Sequence, residues 1–291
     1  VLERAIPDTS ADPARAERLL AEARPLLACA APGLLRLLDA FLARSGPATG
    51  LFLVHAYTPG ALLSALLSAA RRRAEPVPVA VAVALLSELL LIVDDFHMLD
   101  RRHHLQLTPS HVLLGPAGLR LLCPRPSLLA WPGASGSEQH RGAFRYLAPE
   151  QTRGEPGSAR TDVFQAAGLG WETLAGRPRV DAPDLLGLLG QIQFQRPGSL
   201  RPLRDDIPED LDTLLRAALA RHPRDRPGSA RELRGLLLER ARPAPWAVVL
   251  DWCHALGAEP FPGPEVFELH EGPHDDAPDS SSPPAHPTYR G

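Results

Sequence analysis

A polar loop followed by two short apolar runs around a Gly/Pro cluster constrains this chain more than any other stretch. In residues 104–123, HLQLTPSHVLLGPAGLRLLC, the runs 112–114 and 119–122 flank Gly115-Pro116-Ala117-Gly118. Each run is too short for a helix and the cluster supplies a tight reversal, so the pattern predicts a β-hairpin. In the lead-in loop, residues 106–111, Pro109 fixes one φ angle and rules out a helix through it. A loop–hairpin–loop unit lets a rigid sheet present side chains to a site. The side chains so placed are Gln106, Thr108, Ser110 and His111 before the hairpin and Cys123 after it.

Composition narrows the classes of function. All 31 Lys+Arg residues are arginine, and asparagine is absent as well. No lysine can therefore hold nucleotide phosphates, and no asparagine amide can hold a metal ion. A net charge of −3 over 291 residues gives no basic footprint for nucleic acid. No uninterrupted apolar run reaches the roughly 18 residues of a membrane-spanning helix. The nearest, residues 77–93, is broken by Ser87 and Glu88 and predicts a buried core helix. The N-terminus has no signal-peptide pattern. Three widely spaced cysteines, Cys29, Cys123 and Cys253, do not make a disulfide framework, which points to a reducing, cytoplasmic setting.

Along the chain, residues 1–6 read as a strand and residues 14–27 as a helix started by Asp12-Pro13. Residues 34–42 and 50–54 read as strands. Arg71–Arg73 reads as a solvated basic turn. Residues 124–145 are rich in Pro, Gly and Ser, and Ser127, Ser135 and Ser137 there read as polar filler that could also accept phosphate. Residues 244–256 predict one more helix, with Trp246 and Trp252 as packing residues. Residues 271–291 lack apolar periodicity and read as disordered.

Several motifs together resemble bacterial Ser/Thr protein kinases of the eukaryotic type. Tyr146-Leu147-Ala148-Pro149-Glu150-Gln151 resembles the Ala-Pro-Glu motif with its bacterial flanks. Asp162-Val163-Phe164 resembles the start of the following helix, whose aspartate holds the catalytic-loop backbone in that family. Arg226 in HPRDRP resembles the arginine that pairs with the Ala-Pro-Glu glutamate, which implies a buried bidentate Glu150–Arg226 bridge. His104-Leu105-Gln106 stands for His-Arg-Asp, Pro109-Ser110-His111 for Pro-x-Asn, and Cys123-Pro124-Arg125 for Asp-Phe-Gly. His104 is then a structural residue of the lobe core. Glu22 resembles the helix glutamate, Glu3 falls where the strand lysine belongs, and a one-residue slip would put Arg4 there. His55, Ala56 and Tyr57 resemble the hinge, whose backbone could still bond an adenine-like ring. The family's Gly-rich loop lies upstream of the strand at which this sequence opens.

The resemblance implies an α+β, protein-kinase-like fold of two lobes. Residues 1–57 form an incomplete small lobe, 58–240 a mostly helical large lobe, 241–270 a helical extension and 271–291 a tail. It also implies lost chemistry at the degenerate positions Glu3, Gln106, His111 and Cys123. Phosphoryl transfer needs a carboxylate to orient the acceptor and oxygen ligands for Mg²⁺. Gln106 cannot take up a proton, and Cys123 and His111 are poor ligands for a hard cation. A zinc site from His104, His111 and Cys123 has suitable atom types but no spaced ligand motif. Cys123 has no activating base that would make it a nucleophile. The expected function is therefore a pseudokinase, a binding or scaffold module for protein partners such as an active kinase or another signalling protein. No cofactor and no metal are expected of it. The alternative is a Ser/Thr kinase or other ATP-using phosphotransferase, with ATP and Mg²⁺, working through a non-standard site. A third reading is a kinase-like piece of a larger sensor protein.

Overall fold

Short leucine-rich stretches separated by turns supply the early strands, interrupted by one helix, before the long apolar helix-forming run. The structure is a computed structural model and describes residues 2–6, 13–45, 48–124 and 142–257. The serines of residues 124–145 and the tail at 271–291 lie outside those residues. Strands β1 (Leu2–Ile6), β3 (Leu37–Ser45) and β4 (Ala48–His55) form an antiparallel sheet in the order β1-β4-β3. Helix α1 (Pro13–Ala23) lies on it. Its buried Leu19, Leu20 and Ala23 join Leu37, Ala40, Leu51 and Leu53 of the sheet in one core. On these strands Phe41 stacks on Phe52, 5.7 Å between ring centroids.

Two elements differ from the sequence reading. The helix expected over residues 14–27 ends at Ala23 and continues as a 3₁₀ turn, Arg24–Ala28. Pro25 explains the break, since it lacks an N–H and its ring crowds the preceding turn. The strand expected over residues 34–42 is two strands. Leu34–Leu35 (β2) pairs in parallel with Gly118–Leu122 (β7) of a second sheet, while β3 stays in the first. The chain thus changes sheet at Arg36 and ties the small lobe to the large one.

The second sheet, in the order β2-β7-β6-β5, holds the hairpin β6 (Val112–Gly115) and β7 (Gly118–Leu122) and the short β5 (Ala61–Leu62). Gly118, at φ 104°, closes the turn, a conformation that only glycine takes cheaply. Helix α2 (Leu63–Arg73) follows β5, and α3 (Val79–Asp100) follows Pro78. The helix α3 is longer than residues 77–93. It runs through Asp94 and Asp95, and Asp94 is buried because it accepts from Arg231 Nε at 2.9 Å. Arg71–Arg73 is the last turn of α2, not a loop. Arg71 reaches the Gly176 carbonyl at 2.8 Å and pairs with the buried Glu172. Cations at a helix C-terminus meet the carbonyl end of its dipole.

The rest of the large lobe is helical: α4 (Pro149–Thr152), α5 (Ala159–Ala175), α6 (Leu185–Phe194), α7 (Glu209–Ala218), α8 (Ala230–Arg240) and α9 (Trp246–Leu256). At the centre stands α5, buried from Thr161 to Leu174. It packs on α3, α7 and α8. Gly170 permits this closeness, because a Cβ there would sit 2.8 Å from the Leu86 side chain. Outside, α9 fastens the hairpin, where Trp246 Nε1 donates to the Gly115 carbonyl at 3.1 Å. No helix among the described residues is long and apolar enough to cross a membrane.

Candidate functional site

The site begins where α3 stops. Arg101 takes the left-handed conformation, φ 51°, and ends the helix. The following loop is held by its backbone. Asp162, on the first turn of α5 and fully buried, accepts from His104 N at 2.8 Å and Leu105 N at 2.6 Å. His97 Nε2 lies 2.7 Å from the same carboxylate. One turn later, Gln165 accepts from Leu107 N at 2.9 Å and donates to the Leu105 carbonyl at 3.0 Å. Gln151 donates to that carbonyl as well, at 2.9 Å, and its own amide oxygen accepts from Ala148 N and from Gln165 Nε2. Both backbone polar groups of Leu105 are thus bonded, at a residue with φ 58°. A non-glycine residue in that region costs roughly 1–3 kcal/mol and persists only where its surroundings impose it. Gln151 and Gln165 are the residues that sequence reasoning missed. Their signal was positional, since Gln165 lies one helical turn after Asp162.

The second fixed point is Glu150 with Arg226. Both are buried, and the pair is bidentate: Nη1 to Oε1 at 2.7 Å and Nη2 to Oε2 at 2.8 Å. Thr161 Oγ1 donates to Oε1 at 2.8 Å, which ties the pair to α5. Burial alone would raise the Glu150 carboxyl. The Arg226 guanidinium outweighs burial and, with Thr161, holds it below the usual carboxylate range.

The side chains that sequence reasoning placed on display are mostly turned inward. His104 is buried, and its Nε2 lies 2.8 Å from the Leu122 carbonyl, so that nitrogen carries the proton. Burial lowers its pKa, against the opposing pull of Asp162. The His111 ring packs edge-on against His104, 5.7 Å between centroids, and its Nδ1 lies 2.8 Å from Thr108 Oγ1. Thr108, His111 and Cys123 are all buried, and Cys123 Sγ donates to the Leu35 carbonyl at 3.4 Å. Gln106 is half-buried and Ser110 exposed. Leu35, Leu113 and Leu122 form a small separate cluster, with Leu62 against it.

In the small lobe, Glu22 is exposed on α1 and Glu3 lies in register with Leu53. At the hinge positions His55 is buried, Ala56 N–H donates to the Arg36 carbonyl at 2.8 Å, and the Tyr57 ring is exposed. The donor set does not fit Mg²⁺, which takes oxygen ligands in near-octahedral array. Gln106, His111 and Cys123 supply no carboxylate, and the latter two are sequestered. Among the described residues no three His, Cys, Asp or Glu side chains converge as a metal-ligand set, the trio His104, His111 and Cys123 included.

Comparison with known proteins adds the following. No protein-family model matches the chain. Over 141 residues, 46% of this chain, it is 30% identical to the serine/threonine-protein kinase PkaA of Streptomyces coelicolor, of which the match covers 25%. Over 240 residues, 78% of this chain, it is 27% identical to the tyrosine-protein kinase MasK of Myxococcus xanthus, of which the match covers 36%. The chain therefore spans between about a quarter and about a third of the length of these relatives. The crystal structure of the Mycobacterium tuberculosis PknI kinase domain aligns with TM-score 0.59 at 24% identity, over 80% of this chain and 81% of that domain. The fold is protein-kinase-like, with a small sheet lobe and a mostly helical large lobe.

Proposed function

We propose that this chain is a degenerate member of the bacterial eukaryotic-type protein kinases, a pseudokinase that works as a binding or scaffold module. Its partners are proteins, an active kinase or another signalling protein among them, in the reducing cytoplasm that suits three cysteines in no disulfide. The proposed organisation is a small lobe over residues 1–57, a large lobe over 58–240 and a helical extension from 241. One contrast carries the reading. The contacts that shape the loop are complete, from Asp162, Gln165 and Gln151 to the Glu150–Arg226 pair. The positions that would touch ATP and its metal hold Gln106, His111 and Cys123. Phosphoryl transfer rests on positioning and charge neutralisation at the phosphates, and removing several of those parts together leaves little rate.

The second reading is a Ser/Thr kinase or other ATP-using phosphotransferase with a non-standard site, favoured by relatives that are named as serine/threonine and tyrosine protein kinases. Thermal unfolding with ATP alone, with ATP and Mg²⁺, and with ATP and Mn²⁺ decides between them. A ligand at about 100 times its Kd stabilises by roughly 2.7 kcal/mol, which for a domain this size moves the midpoint by roughly 5–10 °C. The expected result is no metal-dependent shift and no phosphate transfer to a general protein substrate. A metal-dependent shift with transfer, lost in Gln106→Ala, would establish the kinase.

A further inference from the structure

Arg179 is half-buried beside a cavity, with its Nη2 fully buried, and nothing in the described residues neutralises it. It follows Gly176, which ends α5 at φ 68°. Its guanidinium stacks on the Phe164 ring at 5.2 Å, and Arg226 lies over the same ring at 4.6 Å. Glu150 neutralises Arg226. Among the described residues Arg179 has no ion pair, and its Nη2 is buried without a hydrogen-bond partner. Burial, with the nearby charge of Arg226, lowers its pKa to about 10, so it stays charged near neutral pH. A buried charge without a counter-ion is costly, and an anion brought to it removes that cost.

The cavity that Arg179 lines has a volume of about 450 Å³, within the roughly 300–1,000 Å³ typical of ligand sites. Arg196, Arg216 and Arg221 line it too, and no carboxylate does. Arg216 is committed to Asp212. Arg196 and Arg221 are exposed, and Arg221 lies 5.2 Å from the Phe194 ring. That ring, at the end of α6, is 74% exposed and forms an apolar lip. One half-buried guanidinium at the base, two exposed ones at the rim and an apolar lip suit a tetrahedral dianion carried on a side chain. Guanidinium groups bind phosphate oxygens in paired, charge-assisted hydrogen bonds.

We propose that this cavity, between α4, α5, α6 and α7, binds a phosphoryl group carried on a side chain of a partner protein. The site is separate from the loop at Gln106 and stands whether or not that loop binds nucleotide.

The test is calorimetric titration of the full chain with N-acetyl-O-phosphoserine amide, inorganic phosphate and N-acetylserine amide. Saturable binding of the phosphoserine derivative is expected, weakened by added salt and absent for the serine derivative. Arg179→Gln should weaken it about tenfold or more, the value of a charged hydrogen bond. Arg179 also packs on Phe164, so Arg196→Ala with Arg221→Ala provides a variant that leaves the core intact. A clear loss is expected there, and Arg242→Ala, outside the cavity, should match wild type. No binding at tens of millimolar, or equal binding by all variants, overturns the site. Binding of inorganic phosphate without the phosphoserine derivative overturns the side-chain source. An ATP shift lost in Arg179→Gln belongs to this cavity, and one retained there belongs to the cleft. The two proposals can therefore fail separately.

Discussion

Arg226 offers the sharpest test of how this lobe is held together. All five of its N–H donors are used. Two go to Glu150, and the others go to the carbonyls of Ala220 at 2.7 Å, Arg160 at 3.0 Å and Arg221 at 3.0 Å. Arg226→Ala leaves the Glu150 carboxylate buried with Thr161 as its remaining side-chain donor. Breaking a buried pair in this way costs about 3–5 kcal/mol, which lowers the midpoint by about 6–20 °C at roughly 2–4 °C per kcal/mol. Glu150→Leu should cost a similar amount by stranding the guanidinium. The double variant Glu150→Leu/Arg226→Met strands neither charge, so a urea-unfolding cycle should give a coupling of about 2–3 kcal/mol. Coupling below about 0.5 kcal/mol would mean the two residues act independently and would sink this account. The pH arm has a definite sign. The folded-state pKa of Glu150 is depressed, so its stabilisation is complete above the ordinary carboxylate value and is lost as pH falls through the folded one. Glu150→Gln should remove that part of the acid limb.

Three further outcomes follow from the same geometry. Asp162→Asn takes a charged acceptor from two backbone N–H groups, and should cost about 2–4 kcal/mol and speed amide exchange at His104 and Leu105. His104 has a pKa lowered from 6.5 by burial, so the unfolded chain binds a proton that the folded chain refuses. Its contribution is full above that pH and drains away as pH falls through the lowered value; His104→Gln should flatten this limb in a pH series of unfolding curves. Gly115→Ala places a Cβ 2.1 Å from the Pro59 carbonyl oxygen, a backbone atom that cannot swing aside. A loss of about 1–3 kcal/mol is expected in thermal unfolding, and an unchanged midpoint would show that β5 and β6 are not so close.

The elements were legible where the signal is local. The hairpin shows in its Gly/Pro cluster, and the apolar content of α3 shows its burial. Long-range partnerships were not legible. Nothing local to Asp94 announces its partner Arg231, which arrives from 137 residues away. Arg71 looks solvated until Glu172 receives it. Arg179 sits in a Gly-Arg-Pro-Arg run, and only its packing on Phe164 turns one end of its guanidinium inward. The change of sheet at Arg36 was hidden because Leu34–Leu42 is apolar apart from Arg36 and Asp39, and a mostly apolar run does not say which sheet it joins.

The residues that hold the loop act on main-chain atoms, which every side chain leaves in place. Asp162, Gln165 and Gln151 bond the backbone of residues 104–107, so they hold it whatever residue stands at 106. The positions at 111 and 123 have found inward partners of their own, in Thr108 and in the Leu35 carbonyl. Placing a carboxylate at 123 should therefore destabilise the fold. Cys123→Asp sets a buried carboxylate against the Leu35 carbonyl oxygen, two acceptors facing each other. An uncompensated buried charge costs about 3–5 kcal/mol, unless the group protonates or the chain rearranges. The measurable consequence is a lower midpoint that recovers partly at acid pH, where the new carboxyl is neutral. A variant that keeps the wild-type midpoint and gains Mg²⁺-dependent stabilisation would show that position 123 still faces a metal site.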